Sequence, residues 1–354
     1  MNTNHYIAIM AGGVGSRFWP SSTEDNPKQF LDILGVGRSL IQMTYDRVVK
    51  IIPNENILIV TNQRYKAITQ EHLPELPEQN ILCEPSRNNT APCVAYTALN
   101  IEARNPDAVF AILPSDHVIL KEKAYLDNLQ AAFNYASTNP AIVTLGIQPT
   151  RPDTGYGYIE TVKDSENEIL KVTSFKEKPD LQTAKKYVAL GNYLWNAGMF
   201  IWSVKTILNS FNKNAPDIIS ILSSNKSKYG TPGEQEYINQ VYPQTESISV
   251  DYAILEKATN VFTIPADIGW SDLGTWSSLH AFKNKDENEC VVIGEKTHLI
   301  DTSNTIIRSD SKKIVVVKGL DNYIIVDEED ALLIYPKADE QEIKQVVKIL
   351  DTKS

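Results

Sequence analysis

An apolar run, Tyr6-Ile7-Ala8-Ile9-Met10, leads into Ala11-Gly12-Gly13-Val14-Gly15-Ser16-Arg17, and Lys28 follows inside Pro27-Lys28-Gln29-Phe30. Glycines that leave a buried strand let backbone N–H groups approach anionic oxygens without side chains in the way. An arginine adds a forked cation to such a cradle and a lysine adds a point charge. The chemistry indicated is polyphosphate binding. A dinucleotide fingerprint is not met, because its third glycine position, counted from Gly13, is Phe18. Nor does a Gly-Lys-Ser/Thr follow at Walker spacing. Taken alone, the loop also reads as an ordinary turn between strand and helix.

Two carboxylates stand at comparable places. Asp116 lies in Leu113-Pro114-Ser115-Asp116-His117, just after a strand-like run and before a helix-like one. It suits a Mg²⁺ ligand beside phosphates, or equally a helix N-cap or turn residue; His117 is read as structural. Asp272 lies in Gly269-Trp270-Ser271-Asp272-Leu273-Gly274-Thr275-Trp276. There the glycines indicate backbone close to a ligand or a helix start, and the tryptophans indicate core packing. Glu84-Pro85-Ser86-Arg87-Asn88-Asn89-Thr90 is a polar loop entering a helix. It could read the edge of a base or simply cap the helix at Asn89 or Thr90. Gly155-Tyr156-Gly157 introduces a strand that could be bulged. Glu177-Lys178-Pro179 pairs a carboxylate with an ammonium, for sugar hydroxyls and a phosphate or as a solvated charge cluster. Asn196 lies at or within an apolar strand.

A length of 354 residues sets an expectation of about two domains. The net charge of −10 argues against nucleic-acid binding and requires any phosphate-binding cations to be concentrated locally. Cys83, Cys93 and Cys290 have no metal spacing and leave an odd count, so reduced thiols in a cytoplasmic protein are expected. Neither a signal peptide nor an apolar run of membrane-spanning length is present, so no membrane association is expected.

Strand-like runs at 57–60, 109–113 and 142–145 alternate with helix-like segments near 40–50, 90–104 and 122–137. That order predicts an α/β fold with an open, largely parallel sheet and ligands at the carboxyl ends of the strands. From about 288 to 335, short β-rich runs predict a small, solenoid-like β-domain. An amphipathic helix from Asp339 to Leu350 follows, with Ile343, Val346, Val347 and Leu350 on one face. The expected boundary separates a domain at 1–282 from one at 283–354.

The motifs, in order, resemble those of the nucleotide-sugar pyrophosphorylases, and within them the mannose-1-phosphate guanylyltransferases. The resemblance runs from Ile7 to about Trp276. It rests on Phe18-Trp19-Pro20, Pro27-Lys28-Gln29-Phe30-Leu31, Ser39-Leu40-Ile41-Gln42-Met43-Thr44, Glu84-Pro85 and Arg87-Asn88-Asn89-Thr90-Ala91-Pro92. Further along it rests on Pro114-Ser115-Asp116-His117, Gly155-Tyr156-Gly157-Tyr158-Ile159, Glu177-Lys178-Pro179, Trp195-Asn196-Ala197-Gly198-Met199-Phe200, Val250-Asp251-Tyr252-Ala253 and Gly269-Trp270-Ser271-Asp272-Leu273-Gly274. The chain departs from the pattern at Thr23, which follows Ser22 where the family has a Ser-Arg pair, and the loop continues with an unusually acidic Glu24-Asp25-Asn26.

The resemblance implies a Rossmann-like, open mixed-sheet nucleotidyltransferase domain of GT-A type, followed by the β-domain. It implies transfer of GMP from GTP to α-D-mannose 1-phosphate, giving GDP-mannose and pyrophosphate. Arg17, Lys28 and Lys178 would act on the phosphates, and Asp116 and Asp272 would hold Mg²⁺. Ala11, Gly12, Gly13, Gly15, Ser16, Glu84, Asn88, Asn89, Thr90, Pro114 and Ser115 would hold the nucleotide. Gly157, Glu177 and Asn196 would recognise the hexose. Many relatives also carry an isomerase domain, and transferase activity alone is expected of this chain. Apart from the resemblance, the terminal β-domain and helix are candidate contact surfaces for a homodimer, and the sequence leaves the oligomeric state open. The rival readings are another sugar-1-phosphate nucleotidyltransferase, a non-catalytic nucleotide-sugar-binding regulator and, disfavoured by Phe18, a dehydrogenase.

Overall fold

The computed structural model describes residues 2–162, 168–309 and 313–351. The chain divides into two compact units, each assembled from separated segments. The first comprises Met1–Gly12, Thr44–Ser115 and Ile119–Trp270; the second comprises Gly13–Met43, Asp116–Val118 and Ser271–Ser354.

Among the described residues the first unit holds a nine-stranded sheet. Its strands are β1 (His5–Met10), β2 (Ile57–Asn62), β3 (Ile81–Glu84), β4 (Val109–Pro114), β5 (Ile142–Ile147), β6 (Tyr158–Thr161), β7 (Leu170–Lys176), β8 (Tyr193–Ser203) and β9 (Val261–Pro265). The spatial order is β3-β2-β1-β4-β8-β5-β9-β7-β6, and β6 also pairs with β8. Strands β1 to β4 are mutually parallel and buried along nearly their whole length, as expected of strands covered on both faces. The helix Thr90–Arg104 covers one face, burying every residue from Ala91 to Ile101; its alanines allow close approach.

The expectation of a largely parallel sheet is corrected to a mixed one. β8 runs antiparallel to β4, β5 and β6, and β7 runs antiparallel to β6 and β9. Apolar periodicity marks a strand without fixing its direction, which depends on how the connecting segment returns. β1 leads to β2 and β3 on one side while β4 lies on its other side, so strand order reverses beside β1. The carboxyl ends of β1, β3 and β4 share the edge where α/β sheets take their ligands. As Asn196 pairs opposite Gly146 near the end of β5, β8 carries it to that same edge.

In the second unit the β-domain contains β10 (Val291–Ile293), β11 (Thr297–Ile300), β12 (Ile306–Ser309), β13 (Val315–Lys318), β14 (Tyr323–Asp327) and β15 (Leu332–Pro336). β11 and β13, and likewise β12 and β14, pair in parallel at an offset of 18 residues: Thr297 opposite Val315, Ile306 opposite Ile324. Corner residues keep that offset, with Asn304 donating to Asn322 Oδ1 at 3.1 Å and Ser303 to Asp321 Oδ1 at 2.8 Å. β11 was not foreseen, because the residue types of Thr297–Ile300 carry no apolar–polar alternation, although they alternate between half-buried and exposed. The terminal α-helix starts at Ile343, preceded by a tighter 3₁₀ stretch over Lys337–Glu342. Of its apolar face Ile343 alone is fully buried, and Leu350 remains exposed.

One hydrophobic core unites the second unit's segments. Phe18, Leu31, Ile33 and Leu40 pack with Val118, Leu273, Trp276 and Leu279, and with Val291, Ile306, Ile324, Val326, Leu333 and Ile343 from the β-domain and terminal helix. Truncating a fully buried aliphatic side chain leaves a cavity and costs about 2–5 kcal/mol. Ile324→Ala should therefore lower the stability measured by urea unfolding by that amount, despite its distance in sequence from the glycine loop.

Candidate active site

The glycine loop leaves β1 within the first unit and continues at Gly13 in the second. Ala11 is held by β2: its N–H donates to Val60 O at 2.8 Å, and its carbonyl accepts from Thr61 Oγ1 at 2.8 Å. Ser115 donates its N–H to Met10 O at 3.0 Å, and Pro114 pairs with Met10 in register, so these nucleotide candidates share one strand end. Gly13 is exposed with open space around it. Gly15 takes φ +75°, and a Cβ there would lie 2.5 Å from the Cβ of Lys28. Only a glycine admits both that backbone and that neighbour. Ser16–Phe18 then form a single 3₁₀ turn. Arg17 points outward and is exposed, without an ion-pair partner among the described residues.

Lys28 is buried, and its ammonium organises the second unit's polar centre. It donates to Asp116 Oδ2 at 2.9 Å, Asp116 O at 3.3 Å and Asp272 O at 2.8 Å. Its own N–H donates to Val14 O at 3.1 Å, and it lies 5.4 Å from the centre of the Phe18 ring. Burial pushes the Asp116 carboxyl up, but the charges of Lys28 and His117 outweigh it and hold the group below 3.8. That contribution to stability is present at neutral pH and is lost as pH falls through the lowered folded value. Asp116 does not cap a helix: the next one starts at Glu122, with Lys121 at its N-cap. Nor does Asp272, since Thr275 caps the helix Trp276–Phe282. Trp276 is core, as expected. Leu273, next to Asp272, is fully buried at φ +42°, an unfavourable backbone for a leucine.

On the first unit, Glu84 ends β3 beside Gly12, whose Cβ, if present, would lie 3.5 Å from Glu84 Oε2. Burial raises its carboxyl to about 7, against hydrogen bonds from Tyr242 and Cys93 that lower it. The adjoining candidates have structural tasks. Asn88 donates to Tyr242 O at 3.1 Å and Thr245 O at 2.9 Å. Asn89, at φ +66°, caps the helix through Thr90 N at 2.9 Å, and Thr90 Oγ1 accepts from Val250 N at 2.9 Å.

Four segments converge at a second cluster on this unit. A Cβ on Gly157 would lie 2.5 Å from Glu177 Oε2 and 3.4 Å from Asn196 Cβ, and Asn196 N donates to Gly157 O at 2.8 Å. Lys178 donates to Glu177 Oε1 at 2.7 Å from a left-handed backbone, φ +45°. The Asn196 amide is fixed in orientation, donating to Asp251 Oδ1 at 3.2 Å and accepting from Thr144 Oγ1 at 3.2 Å and Gly198 N at 3.1 Å. Two carboxylates, an ammonium and an oriented amide can hold a polyhydroxyl ligand that carries a phosphate.

A nucleotidyl transferase family model matches residues 7–289, and a model described as a MannoseP isomerase/GMP-like beta-helix domain matches 295–350. A mannose-1-phosphate guanylyltransferase of Klebsiella pneumoniae is 35% identical over 97% of this chain and 73% of its own length. The chain belongs to the mannose-1-phosphate guanylyltransferase family of nucleotidyl transferases. The alginate biosynthesis protein AlgA of Pseudomonas aeruginosa is 37% identical over 97% of this chain and 71% of its own. The crystal structure of a protein described as a mannose-1-phosphate geranyltransferase from Thermus thermophilus superposes with a TM-score of 0.88. It is 31% identical, covering 98% of this chain and 99% of that one.

Among the residues of this nucleotidyl transferase, Asp251 was not singled out for the site, although it stands in the run Val250-Asp251-Tyr252-Ala253. Its only signal was membership of that run, because its partners are remote in sequence. Burial, with the Glu177 charge adding, raises the Asp251 carboxyl from 3.8 to about 6. Folding thus favours its neutral form, a contribution complete below 3.8 and lost as pH rises through about 6. Asp251→Asn should melt with the parent protein in acid, and above it once the pH passes about 6. A melting-temperature gap independent of pH would refute that account.

Proposed function

We propose that the chain transfers GMP from GTP to α-D-mannose 1-phosphate, the activity named for its relatives, by direct in-line displacement. The observation that carries this reading is the buried Lys28 ammonium, tied to the Asp116 carboxylate and Asp272 carbonyl within a glycine-loop unit. A phosphate oxygen of the sugar phosphate forms a bond to the α-phosphorus of GTP while the bond to the β-phosphate oxygen breaks, releasing pyrophosphate. Since the attacking oxygen is already anionic, no general base and no covalent intermediate are needed. Catalysis then consists of positioning and charge neutralisation. Arg17 and Lys28 act on the triphosphate and leaving pyrophosphate, and Lys178 on the sugar phosphate. The amides of the 11–16 loop and the Glu84–Thr90 segment hold guanosine; an ionised Glu84 can accept from donors on the guanine edge. Gly157, Glu177 and Asn196 hold the hexose hydroxyls.

Asp116 and Asp272 fit a divalent cation of the Mg²⁺ class. They are oxygen donors, and no cluster of three or more acidic, histidine or cysteine ligands exists among the described residues. Such an ion takes one or two protein carboxylates and completes its shell with phosphates and water. When bound, it supplies charge neutralisation at the phosphates. The β-domain reads as a short β-helix, and the catalytic domain as GT-A type. No helix of the described residues is long and apolar enough to cross a membrane. The exposed Leu332 and Ile334 on β15 offer a surface for a homodimer, which light scattering on the purified protein would detect.

Pyrophosphate release with Mg²⁺ should be strongest for GTP with mannose 1-phosphate, among GTP, ATP, UTP and dTTP, and should collapse with glucose 1-phosphate. Asp116→Ala and Asp272→Ala should each lower kcat by about a hundredfold or more while circular dichroism stays unchanged. Near-normal turnover by either variant removes that residue from the site.

A further inference from the structure

The segment proposed to bind the triphosphate is in contact with the β-domain. Arg308, on β12, is buried and donates from Nη1 to Asp32 O at 3.3 Å. Its Nε lies 3.6 Å from Oε1 of Glu328, in the turn after β14. Glu328 in turn accepts from the Ser21 hydroxyl, itself nearly buried. One guanidinium–carboxylate pair therefore grips the segment that carries Lys28 on both sides, at Ser21 before it and at Asp32 after it.

Inside that grip a second tie closes the loop. Ser22 Oγ and Lys28 N both donate to Val14 O, joining the glycine stretch to the lysine segment. Ser22 N also donates to Phe18 O at 3.0 Å, and Phe18 anchors in the shared core against Trp276. Residues 23–26 between these ties are exposed and include Glu24 and Asp25, which contribute nothing to the core. The ties at Val14, Ser21, Ser22 and Asp32 thus bracket this exposed stretch. A buried guanidinium needs its charge answered, and Glu328, which lies within ion-pair distance of it, also accepts from Ser21.

We propose that Glu328, with Arg308, is a positioning residue for GTP, holding the Gly13–Lys28 loop in shape through Ser21. This rests on the function proposed above, so its test has one readout that needs no turnover. Hydrogen exchange across 13–30 should speed up in Glu328→Ala relative to the parent protein. It should not change in Glu329→Ala, which removes the same charge from the exposed neighbouring residue. In the same proteins kcat/KM for GTP should fall about tenfold or more in Glu328→Ala, since small misplacements of binding groups cost that much. The KM for mannose 1-phosphate should stay near that of the parent. Glu328→Gln, which keeps an acceptor for Ser21, should recover part of the loss. Ser21→Ala leaves the Arg308–Glu328 pair intact and serves if Glu328→Ala does not fold. It should show the same exchange pattern, and combining the two should cost little more than either alone. Glu328→Ala or Ser21→Ala behaving like Glu329→Ala in exchange and in kcat/KM would overturn the proposal. A parent protein inactive with every nucleotide, but with the expected exchange pattern, would instead overturn the functional reading and leave the brace standing.

Discussion

A buried ammonium that must be neutralised is the constraint on which the second unit depends. Lys28 has almost no contact with water, so its charge needs an anion and its three protons need acceptors. The Asp116 carboxylate and the carbonyls of Asp116 and Asp272 meet both needs. Removing one member of a fully buried pair costs about 3–5 kcal/mol. The cost here is smaller, because the Asp116 side chain is a third exposed. The lysine is thus locked while the carboxylate keeps a solvent-facing side.

Segments distant in sequence had to come together for this arrangement, and a single apolar core does the gathering. Phe18, Leu273 and Trp276 bury themselves with Ile306, Ile324 and Ile343, so the glycine loop and the β-domain share one hydrophobic interior. The β-domain is in this sense half of the loop's foundation. Left-handed backbone at Leu273 and Lys178, each beside or within a site motif, carries a cost of order 1–3 kcal/mol per residue. Leu273 tolerates it because its side chain is fully buried in that core.

The first unit handles charge in the opposite way. Glu84 and Asp251 are half-buried without a strong cationic partner, and their carboxyls rise to about 7 and about 6. Each is held by hydrogen bonds from neutral groups, Tyr242 for Glu84 and the Asn196 amide for Asp251. Near neutral pH Glu84 can therefore either accept or donate a hydrogen bond, whereas Asp251 is mostly ionised and accepts.

Local chemistry was legible in the sequence wherever a few adjacent residues carry it. The glycine loop, the strand ends at Met10 and Pro114, the cap at Asn89 and the core role of Trp276 all follow from residue type and short-range spacing. The sequence by itself therefore determined β1, β2, β4 and β5 with three of the helices between them, most strands of the β-domain and the identity of the candidate ligands. Tertiary structure alone decided the antiparallel course of β8, the 18-residue register of the β-domain and the meeting of Lys28 with Asp116 and Asp272. It also decided that Asp251 joins Asn196 and that Glu328 reaches Ser21. The physical reason is range: backbone preference and apolar periodicity act over a few residues, whereas a buried charge selects its partner by distance in space.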